Sequence, residues 1–195
     1  RMDSSVPIED IIGTIADLVA EGKVHHIGVS EITAHQLRKA NSVYPISALE
    51  IGYSLADRQI ENELLPAAKE LGIGVVAFAN TAEGLLTGDL QPPIPADDHR
   101  NHFSRFQGNN LIHNLEKVEV LKEIALRKNV SPTQLAIAWV KEQGDNIMPL
   151  VSMSRRSRLP ENITAMEIVF TPEEMNILNT TFAIGAIKGG TYLQR

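Results

Sequence analysis

The sequence predicts an α/β protein with a parallel sheet, organised as the C-terminal half of a (β/α)8 barrel. Three observations predict it. Strand-like and helix-like runs alternate, with strands roughly 25 residues apart, the pattern of repeated βαβ units. Residues 72–79, GIGVVAFA, are apolar on both faces, as a strand covered by helices must be. No GxGxxG follows a strand, so a Rossmann-type dinucleotide fold has no support and the barrel is the remaining parallel architecture. The count is short, however. Four good strands and a stub at Met2 are present, where a barrel has eight strands in about 250 residues. The 195 residues therefore read as a single barrel segment, 1–195, with an N-terminal half absent.

The elements follow in order. Arg1-Met2-Asp3 reads as the tail of a strand. Ser4 or Ser5 is expected to cap a helix with Pro7 in its first turn. Ile8, Ile11, Ile12, Ile15, Leu18 and Val19 form one buried stripe at helical spacing, and Gly22 ends it. Residues 23–30, KVHHIGVS, form a strand. Thr33 caps a helix to about Val43, which Tyr44-Pro45 breaks. A strand over 46–53 and a helix over 60–71 precede the apolar strand 72–79. Residues 80–114 then interrupt the regularity with Pro92, Pro93 and Pro95, and a loop of this length over a site is functional or mobile. Helix returns over 115–128. Ser131-Pro132 opens another through Glu142, and Gly144 stops it. A strand over 147–151 follows. Thr171-Pro172-Glu173-Glu174 is a capping box for a last helix to about Phe182.

Composition narrows the function classes. Net charge is −6, which argues against nucleic acid or an anionic membrane as partner, since both want a basic surface. Cysteine is absent, so there is no disulfide, thiolate nucleophile or Cys-ligated metal. No apolar run approaches the length of a membrane span and no signal peptide is visible, so a cytoplasmic location is the default expectation.

The stretch 147–162, IMPLVSMSRRSRLPEN, concentrates chemistry. It is a short strand, a hydroxyl-rich loop with three arginines, and a helix start, which together suit anionic oxygens. The plainer reading is a solvated basic loop. His99 and His102 lie three apart in the long loop with Asp97 and Asp98 beside them, and a solvated loop outweighs a metal site there. The strand ends carry Ser30-Glu31, Glu50 to Tyr53, Phe78 to Thr81, and residues 152–158. Hydroxyls, carboxylates, an aromatic and a basic loop at one strand end suit a flat polar ring joined to phosphates. The competing reading makes Phe78 and Tyr53 core aromatics.

These segments resemble the aldo-keto reductase family along nearly the whole chain. The residues that carry the resemblance are VPIEDIIGTIADLVAEGKVHHIGVSE, PISALEIGYSLADRQIENELLPAAKELGIGVVAF, GLLTG, FSRFQGNN, SPTQLAIAWV and RSRLPEN. The resemblance implies a (β/α)8 barrel that binds NADP(H), less often NAD(H), and transfers hydride to a small carbonyl substrate. By this resemblance Ser30, with Glu31 beside it, holds the nicotinamide carboxamide. Glu50 stands where the family has a glutamine for the same amide. Phe78 stacks on the nicotinamide ring, which needs only a ring face. Ala79, Asn80 and Thr81 replace a Ser-Pro-Leu turn, and Asp89 replaces a lysine near the pyrophosphate. Ser152 and Ser154 stand in a Gly-Thr-Lys type segment. Arg158 takes the place of the arginine that packs on adenine or binds the 2′-phosphate, and Glu161 and Asn162 that of the pair reading the adenine amino group. Arg105 reaches the cofactor from the long loop.

The family's catalytic tyrosine, lysine, aspartate and histidine belong to the first half of the barrel, and none of Tyr44, Tyr53 or Tyr192 matches the donor. The chain alone is therefore expected to be inactive, and to need the missing half or self-association to cover its open strands. The alternative is a non-catalytic nucleotide-binding or regulatory module that resembles potassium-channel beta subunits. A remnant that no longer binds cofactor is the third reading.

Overall fold

The computed structural model describes residue 3 and residues 5–191. The expected strand stub at Arg1-Met2, the Ser4 cap and Tyr192 lie outside the described residues. Four strands form one parallel sheet in the order β1 (Ile27–Ser30), β2 (Ile46–Gly52), β3 (Gly74–Phe78), β4 (Ile147–Pro149). Neighbours in sequence are neighbours in the sheet, as βαβ crossovers give. The helices are α1 (Ile8–Ala20), α2 (Ala34–Val43), α3 (Leu64–Glu70), α4 (Gly108–Lys128), α5 (Pro132–Lys141), α6 (Arg158–Thr164) and α7 (Pro172–Thr181).

Side chains alternate across the sheet. Ile27, Leu49, Ile51, Val75, Ala77 and Ile147 are buried under the helices, with Trp139 of α5 and Leu121 of α4 fully enclosed among them. The register puts Gly28 and Ser30, Ala48 and Glu50, Val76 and Phe78, and Met148 on the other face. None of these is buried, and Met148 is 67% exposed. One face of the sheet is thus covered and the other open.

Several boundaries differ from expectation for local reasons. Residues 23–26 are not strand, because the N–H groups of Lys23 and Val24 turn back to the Leu18 carbonyl at 3.0 and 3.3 Å. Pro7 occupies the N-cap of α1 with no side-chain cap. Ser5 instead donates its backbone and hydroxyl hydrogens to Asp3 Oδ1 at 2.8 and 2.7 Å. The expected helix over 60–71 divides into a 3-10 turn, Gln59–Glu61, and α3. The long loop ends at Gln107, since α4 begins two turns early at Gly108. The loop itself holds 3-10 turns at Leu85–Thr87, His99–His102 and Ser104–Phe106.

Capping chemistry was legible. Thr33 with Gln36, Ser131 with Gln134, and Thr171 with Glu174 all form capping boxes, and Pro132 and Pro172 sit in first turns. Tyr53 proves to be core, 1% exposed, with its ring 5.4 Å from Trp139 and its hydroxyl donating to Glu61 at 2.8 Å.

Candidate functional site

A cleft of about 710 Å³ opens at the C-terminal ends of β3 and β4. Parallel α/β proteins bind ligands at this end of the sheet. The volume is in the usual range for small-molecule and cofactor sites, about 300–1,000 Å³.

The β3 wall begins at Phe78, which is half-buried and lines the cleft. Ala79 follows at φ 57, in the left-handed region, and reverses the chain. Asn80 pins that reversal. It is 3% exposed, and its Nδ2 donates to the carbonyls of Ala77 at 3.0 Å and Tyr53 at 3.3 Å. Its Oδ1 is buried without a partner. The Thr81 carbonyl then accepts from Gly84 and Leu86 at 3.1 and 3.0 Å. Glu83, Thr87 and Asp89 complete this wall.

The β4 wall comes from Leu150, Val151 and Ser152, and from Arg158, Glu161 and Asn162 at the start of α6. The N-terminus of α5 closes it with Ser131, Pro132 and Thr133. Two contacts tie α5 to α6. Ser131 Oγ donates to Glu161 Oε1 at 2.7 Å, and Gln134 Nε2 donates to the Glu161 carbonyl at 3.0 Å. Pro160 falls in the first turn of α6 after Ser157 at the N-cap, where its missing N–H costs nothing.

Of the residues singled out from sequence, Phe78, Ala79, Asn80, Thr81, Ser152, Arg158, Glu161 and Asn162 line this one cleft. Ser30 and Glu50 are cross-strand partners on the open face, and Phe78 shares that face on the next strand. Glu31 follows β1 at φ 53, with Oε1 buried and unpartnered. Ser154 is exposed in the loop after β4 and does not line the cleft. Glu161 is only partly free, since Ser131 holds one of its oxygens.

Arg105 is the correction. It does not reach into the cleft. Its side chain is 0% exposed and forks onto Asp57 at 2.7 and 2.6 Å. Its carbonyl accepts from Asn114 at 3.1 Å, and its N–H donates to Gly190 at 3.4 Å. A side chain at Gly189 would drive into the Arg105 backbone, so only glycine lets the C-terminal segment pack this closely. Arg105 therefore fastens the long loop to the sheet end and to the C-terminal segment.

Sequence reasoning missed Glu83, Thr87 and Thr133, and read Ser131 and Pro132 only as a helix start. None carries a local pattern that separates it from an ordinary loop or cap residue. Glu83 is the most perturbed group of the wall. Burial, then the charge of Asp57, push its carboxyl up to about 7, and Arg105 opposes them. Near the paired histidines, Asp98 is held by Arg100 at 2.6 Å. Among the described residues no group of three or more His, Asp or Glu side chains is placed to hold a metal ion. Among the same residues, no helix is long and apolar enough to cross a membrane.

A parallel α/β sheet covered on one face, with a polar cleft at its strand ends, defines the class, a parallel α/β protein. The comparisons resolve the class further. The family model described as "Aldo/keto reductase family" matches residues 1–181, and the chain belongs to that family. A probable aldo-keto reductase 1 from Glycine max is 35% identical over 193 residues, covering 98% of this chain and 56% of the relative. Among solved structures, a glycerol dehydrogenase from Gluconobacter oxydans superposes with a TM-score of 0.88 at 24% identity, over 98% of this chain and 59% of that one. A thermostable aldo-keto reductase in complex with the inhibitor epalrestat gives 0.72 at 23%, over 92% and 56%. At these identities the two structures speak for the fold alone. The chain spans a little over half the length of each.

Proposed function

We propose that this chain is the cofactor-binding half of a (β/α)8 oxidoreductase that uses NADP(H) or NAD(H) to reduce an aldehyde or ketone. The observation that carries this reading is the gathering of Phe78, Asn80, Thr81, Arg158 and Asn162 around one cleft, next to the Ser30–Glu50 pair on the open sheet face. The residues fit a nicotinamide dinucleotide. Phe78 offers a ring face, Asn80 Oδ1 is a buried acceptor without a partner, and Arg158 is an exposed guanidinium at a helix start. Ser30 and Glu50 lie where a carboxamide would be held. When bound, such a cofactor supplies the hydride.

The chain's own residues bind and orient, and the general acid comes from outside them. None of the residues at the cleft is a tyrosine or lysine. The open sheet face, with Met148 on it, is the surface on which the rest of a barrel would close. A small carbonyl substrate would sit at the C-terminal strand ends, beside the cofactor.

The test is a pair of assays on the full-length protein as its gene encodes it. NADPH and NADH are titrated by fluorescence, and their oxidation is followed with a panel of aldehydes. Binding with turnover supports the reading. Binding without turnover favours a regulatory nucleotide-binding module, and no binding favours a remnant. The 195-residue chain alone is expected to turn over nothing, and turnover by it would refute the assignment of the acid to upstream residues.

A further inference from the structure

Glu83 lines the cleft and takes no part in the cofactor reading above. Its side chain is 8% exposed, and neither carboxylate oxygen accepts a hydrogen bond among the described residues. Arg105 Nη1 stands 3.9 Å from Oε2, beyond hydrogen-bond reach, because the guanidinium is forked onto Asp57. Arg105 Nε is also buried without a partner. Two carboxylates share one cation, and only one of them is bonded to it. The backbone around Glu83 is held against its preference. Ala79, Ala82 and Glu83 all lie in the left-handed region, at φ 57, 50 and 53.

We propose that residues 79–83 are a proton-controlled gate on the cleft: neutral Glu83 stays tucked beside Asp57 and Arg105, whereas ionised Glu83 swings into the cleft and weakens binding of a phosphate-bearing ligand. This rests on the cofactor reading above and names a regulation of that same site.

The physical argument is one of hydration. A carboxylate buried without hydrogen bonds loses its water and regains nothing, so the neutral form suits the tucked position. The charged form is better placed in the cleft that Glu83 already lines. The groups that face it are few. Asp57 repels it from the segment after β2, and Arg105 attracts it from the Ser104–Phe106 turn. Arg100 donates to its main-chain carbonyl at 3.4 Å while bound to Asp98. Asp89 shares its wall, and Glu161 and Arg158 stand across the cleft. An ionised Glu83 in the cleft would thus join two other carboxylates against one arginine. The sign follows from a folded value near 7 against an ordinary 4.5. The tucked state contributes its full stability below about 4.5 and loses it as the pH rises through about 7.

The experiment titrates NADH into the full-length protein from pH 6 to pH 8. NADH carries no phosphate monoester, so the ligand itself does not change charge over that range. The dissociation constant should rise about tenfold, as the neutral fraction of a group titrating near 7 falls. Glu83→Gln, neutral at every pH, should hold the low-pH affinity throughout. Amide exchange over residues 79–84, corrected for intrinsic pH dependence, should lose protection over the same range in the wild type and not in the variant. A flat or falling profile for bound NADH overturns the gate, as does protection that ignores pH. If neither NADH nor NADPH binds at any pH, the cofactor reading falls, and the exchange measurement alone still decides the gate.

Discussion

On the β3 side of the cleft, Asn80 is 3% exposed and the Glu83 side chain 8%, and behind them a fully buried Arg105 is forked onto Asp57. On the β4 side, Ser152, Arg155, Arg156 and Arg158 are all exposed, and among the described residues none of these arginines forms an ion pair. Asn80 and Glu83 on the first side and Ser152 and Arg158 on the second line one cavity, yet behind the first an arginine is turned inward onto Asp57 while the arginines of the second form no ion pair among the described residues. A buried guanidinium paired with a carboxylate fixes shape, whereas an exposed one without an ion pair is available to a ligand. Arginines in the same sequence context of loop and turn thus carry opposite duties, decided by what lies opposite them.

The β3 wall is most vulnerable at Arg105. Arg105→Ala strands Asp57 in the interior and releases the Ser104–Phe106 turn. We expect a loss of about 3–5 kcal/mol in chemical denaturation of the full-length protein, the cost of breaking a buried pair from one side. A loss below about 1 kcal/mol, the scale of an exposed pair, would mean that the β3 wall is held by something else. Ser131→Ala comes next. It removes the N-cap of α5 and the 2.7 Å bond to Glu161 that ties α5 to α6. About 1–2 kcal/mol should be lost. If capping is all Ser131 does, Ser131→Asp should restore stability fully. If the Glu161 bond also counts, aspartate recovers only part, since it places a second carboxylate there.

How much of this was legible depends on range. The strands β2, β3 and β4 were legible because each is a short, largely apolar run of consecutive residues, and α5 and α7 because Ser131 to Gln134 and Thr171 to Glu174 are local motifs. The start of α4 was not, because Gly108-Asn109-Asn110 reads as loop while Leu111, Asn114 and Val118 supply a buried stripe under polar neighbours. Eight of the thirteen sequence-assigned cofactor positions line the cleft, because matching the family's blocks carries distance information that a single sequence lacks. Arg105 was misplaced for the complementary reason. Its partner Asp57 is 48 residues away, and nothing local distinguishes a loop arginine that turns inward from one that turns out. Glu83 was invisible because its environment is set by that same distant pair.

Arg158 is the corresponding position on the β4 wall. It is exposed and forms no ion pair among the described residues, so Arg158→Ala should leave stability within about 0.5 kcal/mol. Cofactor affinity should fall about tenfold, or ~1.4 kcal/mol, if the guanidinium meets a phosphate or adenine. The loss should be greater for NADPH than NADH if it meets the 2′-phosphate. Equal affinity in wild type and variant would leave the β4 wall a solvated loop.

The smallest effect probes the strain that the β3 wall stores. Ala79 sits at φ 57, a conformation costing an L-residue roughly 1–2 kcal/mol. Glycine adopts it freely, but loses roughly 0.5–1 kcal/mol of extra chain entropy on folding. Ala79→Gly should therefore gain about 0.5 kcal/mol, the difference between the two effects. Asn129 is the control. It ends α4 at φ 55, and asparagine tolerates that region, so Asn129→Gly should gain less. Equal gains at both sites would mean that the left-handed turn after β3 is an ordinary one. A larger gain at Ala79 would show that the wall is held in place by the contacts of Asn80, Glu83 and Arg105 rather than by its own preference, which is what a segment with a second position requires.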